Sequence, residues 1–156
     1  MPIKGLKDNA IKTSVTELNA RLSDMVALKL ALKQAHWNVK GPAFIAVHEL
    51  LDAVAARVDE ASDTMAERVQ VLGGVALGTV ETVAGSSTVK PYPTDLVKET
   101  DHVQAVCARI SDLGARMRDA ITHVTEAGDD GTADIFVCVS RQLDKDLWFL
   151  ESHLAK

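Results

Sequence analysis

The stretch from Pro42 to about Leu72 reads as one long, unbroken helix, and it constrains the rest of the chain. Val47, Leu51, Val54, Val58, Ala61, Met65, Val69 and Leu72 recur at three- and four-residue steps, which is the spacing of a helix face turned toward a core. Pro42 suits the first turn of a helix, and Gly73-Gly74 ends it. A second stripe is polar. His48 and Asp52 are one turn apart, Asp63 and Glu67 are one turn apart, and Asp52 to Asp63 is close to three whole turns. Two occupied faces imply two partners: the home bundle, and something else.

Together with His36, just upstream, the polar stripe holds two imidazoles and three carboxylates and no thiolate. That mix suits a first-row divalent metal such as Fe(II). His48 and Asp63 are nevertheless fifteen residues apart, about 22 Å of axial rise at 1.5 Å per residue, so one metal cannot be reached from both ends. If the two pairs serve one centre, the second pair comes from another copy of the helix, running antiparallel across a two-fold axis. A two-fold dimer has the self-complementary contact this requires, and would build two equivalent sites.

The other elements follow from the same periodicity. Residues 1–13 are polar, carry Lys4, Lys7 and Lys12 against Asp8, and read as a short mobile tail; residues 14–156 form the bundle domain. Ser14-x-x-Glu17 has the form of a capping box, and Leu18, Leu22, Met25, Leu28, Leu32 and Ala35 carry a first helix to about Asn38. Residues 75–93 form a long crossover with one short helix. Thr94 or Asp95 is expected to cap a third helix that runs to Ala127 and ends at Gly128, and a fourth spans about Asp130 to His153. These elements predict an all-α four-helix bundle with its long connection between the second and third helices.

Composition narrows the function. A chain of 156 residues suits one domain. Cys107 and Cys138 form no C-x-x-C pair, and no stretch approaches the roughly 18 uninterrupted apolar residues of a membrane span, so a soluble protein of the reducing cytoplasm is expected. A net charge of −5 does not advertise nucleic-acid binding by the body of the domain.

Several motifs resemble the Dps family, the ferritin-like DNA-binding proteins of starved cells. They are H-W-N-V-K-G, five residues, and V-H-E-L-L-D (His36 to Asp52); D-T-M-A-E-R-V-Q-V-L-G-G-V-A-L-G (Asp63 to Gly78); K-P-Y-P-T-D (Lys90 to Asp95); T-A-D-I (Thr132 to Ile135); and S-R-Q-L-D-K-D-L-W-F (Ser140 to Phe149). The resemblance covers nearly the whole chain. It implies a ferritin-like bundle assembled from two-fold dimers into a hollow dodecamer. It also implies an iron centre between subunits, with His36, His48 and Asp52 from one facing Asp63 and Glu67 from the other, and a second, weaker iron position. The implied activity is oxidation of Fe(II), preferentially by hydrogen peroxide, with ferric mineral stored in the cavity and DNA thereby protected from radicals.

The resemblance bears on other residues too. Acidic side chains at the turn into the last helix line pores for Fe(II) entry in the family, and Asp130 and Asp134 are the matches, with Glu126 and Asp129 nearby. Trp37 adjoins a ligand and is expected to pack there. Trp148 and Phe149 are expected in the core or an interface. DNA binding in the family depends on basic extensions; here Lys4, Lys7 and Lys12 supply only weak, salt-sensitive contact. The alternative function is a nucleoid-associated protein that shields DNA physically. Glu99-x-x-His102 resembles the E-x-x-H unit of other di-iron bundles, but its partner units are missing, and it reads as surface charge.

Overall fold

The computed structural model describes residues 3–155. Five helices follow in order: α1 (Asp8–Asn38), α2 (Phe44–Val71), α3 (Val80–Ser86), α4 (Glu99–Ala127) and α5 (Asp130–Glu151). The only β-type pairing among the described residues is an isolated parallel bridge between Lys40 and Lys98. α1 and α2 pack along their lengths as one hairpin, α4 and α5 as a second, and the long 72–98 connection joins them. This is the expected bundle with its crossover between the second and third long helices, and α3 rests on α1.

The core is apolar and continuous. Leu18, Met25, Leu28 and Leu32 of α1 meet Leu51 and Met65 of α2, Ile110, Leu113 and Met117 of α4, and Phe136, Leu143 and Leu150 of α5, all fully buried. Burying a side chain of this size is worth roughly 1.5–3 kcal/mol. No described helix is long and apolar enough to cross a membrane.

Helix ends follow local chemistry where local chemistry is decisive. Gly128 closes α4 at φ 94°, a left-handed conformation that a β-carbon disfavours, and its N–H donates to Val124 and Thr125 carbonyls. Asp129 caps α5 by accepting from the Thr132 N–H. Gly41 allows another close approach: a β-carbon there would collide with the Glu99 carboxylate, which accepts the Ala43 N–H at the start of α2.

Three boundary expectations are corrected. α1 begins at Asp8 rather than after residue 13, because Ala10 is buried and Ile3, Leu6 and Ile11 pack on the core; residues 1 and 2 of the expected tail lie outside the described residues. Leu6, Ala10, Ser14 and Leu18 form a four-residue period whose small and polar members hid it. Ser14-x-x-Glu17 is therefore no capping box: Ser14 is buried inside α1, and Glu17 accepts from His123 at 2.7 Å. α4 begins at Glu99, with Lys98 at the N-cap position and no side-chain capping bond, so neither Thr94 nor Asp95 caps it. The backbone before it is held extended, with Lys40 N–H donating to Val97 and Glu99 N–H donating to Lys40.

Candidate metal centre

The α1–α2 corner brings His36 and His48 together across the turn at residues 39–43. Their rings stack with centroids 3.7 Å apart and planes 22° apart, and Phe44 flanks His48 at 5.0 Å. The hydrogen bonds cross over. His36 Nδ1–H donates to the His48 carbonyl at 2.8 Å, and His48 Nδ1–H donates to the His36 carbonyl at 2.9 Å. A carbonyl only accepts, so Nδ1 must carry the proton in both rings. In the neutral tautomer this leaves Nε2 with its lone pair free on each histidine, and both rings are locked by backbone contacts of the kind that orient metal-binding imidazoles.

Asp52 lies one turn beyond His48 and is exposed. Lys33 Nζ reaches its Oδ1 at 2.5 Å. That hydrogen bond, above all, holds the Asp52 carboxyl below its ordinary value, with the charges of Lys33, His36 and His48 acting in the same direction against desolvation. The carboxylate is ionised and already has a cation beside it, although an exchangeable one.

Asp63 and Glu67 are exposed on the same helix, on the far side of that axial gap. Among the described residues, no group of three or more His, Cys, Asp or Glu side chains closes around a metal position within one chain. The structure thus joins His36 with His48, leaves Asp52 at their edge, and does not bring Asp63 or Glu67 to them. Nearby large apolar side chains are exposed: Trp37 is 66% accessible, and Ile45 lies beside the turn at 59%. Lys33 Nζ also stands 5.9 Å from the Trp37 ring centroid. Trp37 therefore does not pack within the single chain.

At the α4–α5 turn, Asp130 and Asp134 are exposed one turn apart. Asp129 differs from both. It is buried, accepts from Arg68 at 2.9 Å and from the Thr132 hydroxyl at 2.6 Å. Burial acts to raise its carboxyl, but the Thr132 hydrogen bonds and the Arg68 charge outweigh it and hold the value low. Lys4, Lys7 and Lys12 are all exposed, with Lys12 inside α1. Trp148 is exposed at 63% in the isolated chain rather than in its core, with Phe149 half-buried beside it.

His102 is not surface charge. It is 1% accessible, accepts from the Tyr92 hydroxyl at Nδ1 (2.8 Å), and donates from Nε2 to the Leu96 carbonyl at 3.1 Å. Two ion pairs of a buried aspartate with a partly exposed arginine also escaped the sequence: Arg68 with Asp129, and Arg57 with Asp146, whose Oδ1 accepts from Nη2 at 2.6 Å. Their partners stand 61 and 89 residues apart, and no local pattern links them.

Four long helices with the crossover between the second and third define a ferritin-like protein, and the ferritin-like domain family matches residues 15–156. The chain is 50% identical over 149 residues to a "DNA protection during starvation protein" of Agrobacterium fabrum, covering 96% of this chain and 92% of that one. Its fold is similar to DpsC from Streptomyces coelicolor, with a TM-score of 0.94 at 33% identity, over 100% of this chain and 91% of that one. It is also similar to Dps from Microbacterium arborescens in the high iron form, with a TM-score of 0.90 at 34% identity, over 96% and 97% of the two chains. The chain belongs to the Dps family of ferritin-like proteins.

Proposed function

We propose that this protein stores and detoxifies iron, oxidising substrate Fe(II) at sites completed by pairs of subunits. His36, His48 and Asp52 of one subunit would meet Asp63 and Glu67 of its two-fold partner. The observation that carries this reading is the crossed histidine pair, which fixes two rings with Nε2 lone pairs free, beside an ionised carboxylate, in a half-site that one chain leaves open. Asp63 and Glu67, exposed and one turn apart, supply the negative charge the half-site lacks. The exposed apolar surface around Trp37 and Ile45 suits a second copy.

Two Fe(II) held together deliver two electrons at once, which matches the two-electron demand of hydrogen peroxide and avoids releasing hydroxyl radical. Protein ligands that leave coordination positions open give the oxidant access. The ferric product would accumulate inside a dodecameric shell, with Asp130 and Asp134 drawing Fe(II) inward. Protection of DNA follows chemically, since peroxide and free Fe(II) are both consumed. A cytoplasmic setting, near the nucleoid, fits this role. Direct DNA contact through Lys4, Lys7 and Lys12 is a lesser part, weak and salt-sensitive.

The test is anaerobic Fe(II) loading of the metal-free protein followed by one pulse of peroxide, with ferric absorbance, peroxide consumed and trapped hydroxyl radical recorded beside Asp63→Asn. Rapid oxidation at about one peroxide per two irons, lost in the variant, is expected. A rate no faster than in buffer, or unchanged by the substitution, overturns the reading. Light scattering checks the dodecamer.

A further inference from the structure

Arg57 of α2 and Asp146 of α5 tie the two hairpins together, and the tie is one-sided. Arg57 donates to Asp146 Oδ1 from Nε at 3.0 Å and from Nη2 at 2.6 Å, and Gln142 Nε2 donates to the same oxygen at 3.1 Å. A guanidinium that grips a carboxylate with two nitrogens ordinarily gives each oxygen one donor. Here Oδ2 has no donor among the described residues, although the Asp146 side chain is only 1% accessible. A buried charged acceptor without a donor is costly, and native folds rarely keep one.

The space beside Asp146 has the size and polarity to meet that need. A cavity of about 10 Å³ lies against it, lined by Arg57 and Gln142 and by apolar neighbours that include Val58, Val139 and Leu143. A single water requires roughly 10–15 Å³ and two to four polar partners, and Asp146, Arg57 and Gln142 are the polar side chains at hand. Arg57, Val139 and Gln142 also line an open groove of about 400 Å³ between α2 and α5, so these side chains separate the cavity from the groove.

We propose that this cavity is a binding site for one internal water, which donates a hydrogen bond to Asp146 Oδ2 and completes the polar link between α2 and α5. The volume excludes an organic ligand. A bare metal cation is opposed by the Arg57 guanidinium, which already neutralises the carboxylate, and by the lining itself, since hard cations take six or more oxygen ligands. A neutral donor fits. Water supplies an O–H to Oδ2, keeps its lone pairs for N–H groups of Arg57 or Gln142, and adds no charge.

The water turns a half-satisfied group into a closed network. Arg57 and Gln142 saturate Oδ1, the water saturates Oδ2, and a buried polar network is favourable only when every member has its partner. Exchange with solvent has a route as well. The Arg57 side chain is 32% accessible, so it can turn outward into the groove and admit or release the water while the apolar core stays packed.

The experiment compares high-resolution crystal structures of the assembled protein with those of Asp146→Leu and Asp146→Asn, beside oxygen-17 relaxation dispersion, which counts long-lived waters in solution. The wild type is expected to show a single density peak per subunit at hydrogen-bond distance, about 2.8 Å, from Oδ2. Asp146→Leu nearly matches the side chain in size but offers no acceptor, and the partly exposed Arg57 reaches solvent instead. The peak and one long-lived water per subunit should disappear from it. Asp146→Asn keeps a polar atom at the Oδ2 position and should retain both. An empty cavity in the wild type, a peak that survives in Asp146→Leu, or a loss in both variants alike overturns the assignment. A peak ringed by six oxygens at about 2.4 Å would be a cation and overturns it too.

Discussion

The two polar corners of the bundle both carry aspartates and behave oppositely. At the α4–α5 turn, Asp129 is buried and its needs are met inside the chain by Arg68 and Thr132. At the α1–α2 turn, the imidazoles are locked but keep Nε2 free, and the carboxylates of α2 point into solvent. A cluster that satisfies itself stabilises the monomer; one that is oriented yet incomplete has bonding capacity left for a metal and a second subunit. Burial and satisfaction, rather than residue type, separate a structural carboxylate from a ligand.

The sharpest way to break this comparison is to remove one partner of the closed corner. Arg68→Met leaves Asp129 buried without its counter-charge and is expected to cost about 3 kcal/mol in chemical denaturation, with the variant's iron-site residues untouched. A loss near zero would mean that the Thr132 hydrogen bonds alone suffice. The open corner is tested by complementation. His48→Ala and Asp63→Asn subunits should each be inactive in iron oxidation, yet refolding equal amounts together should restore about one quarter of wild-type sites, because half the dimers are mixed and each has one intact site of two. No recovery on mixing would contradict a site shared across the two-fold axis.

Acid should act on the closed elements first. Asp129 has a folded value below its ordinary 3.8, so its contribution is complete above the unfolded value and is lost as pH falls through the folded one. His102 is lowered from 6.5 by burial, so it also destabilises the fold on protonation, beginning as pH drops below that ordinary value. Denaturation midpoints should therefore decline in two limbs, and His102→Asn should flatten the upper one. The smallest effect belongs to Lys33. Replacing it with Met frees Asp52 from its resident cation, and binding of Zn(II) to the His36–Asp52 side should tighten by roughly threefold by calorimetry, as befits an exposed pair. An unchanged isotherm would mean that Lys33 does not compete with metal.

Much of this was legible in the chain. The apolar period of residues 47–72 gave a helix observed at Phe44–Val71, and Gly128 and Asp130 marked the α4–α5 turn within a residue. Those features are local: a period, a left-handed glycine, a cap. The start of α1 was missed because Ala10 and Ser14 are buried without being strongly apolar, and the start of α4 because backbone pairing with Lys40 displaced the nearest capping residues.

By itself, then, the sequence determined the helical bundle, its crossover, and the one-turn spacing of His48 with Asp52 and Asp63 with Glu67, since helical geometry converts spacing directly into position. Only the tertiary structure decided that His36 and His48 stack and fix each other's tautomer, that His102 is buried against Tyr92, and that Asp129 is spent on Arg68. Those outcomes depend on contacts between segments far apart or across a turn, where packing and desolvation, rather than local periodicity, set which polar groups are satisfied and which remain free to act.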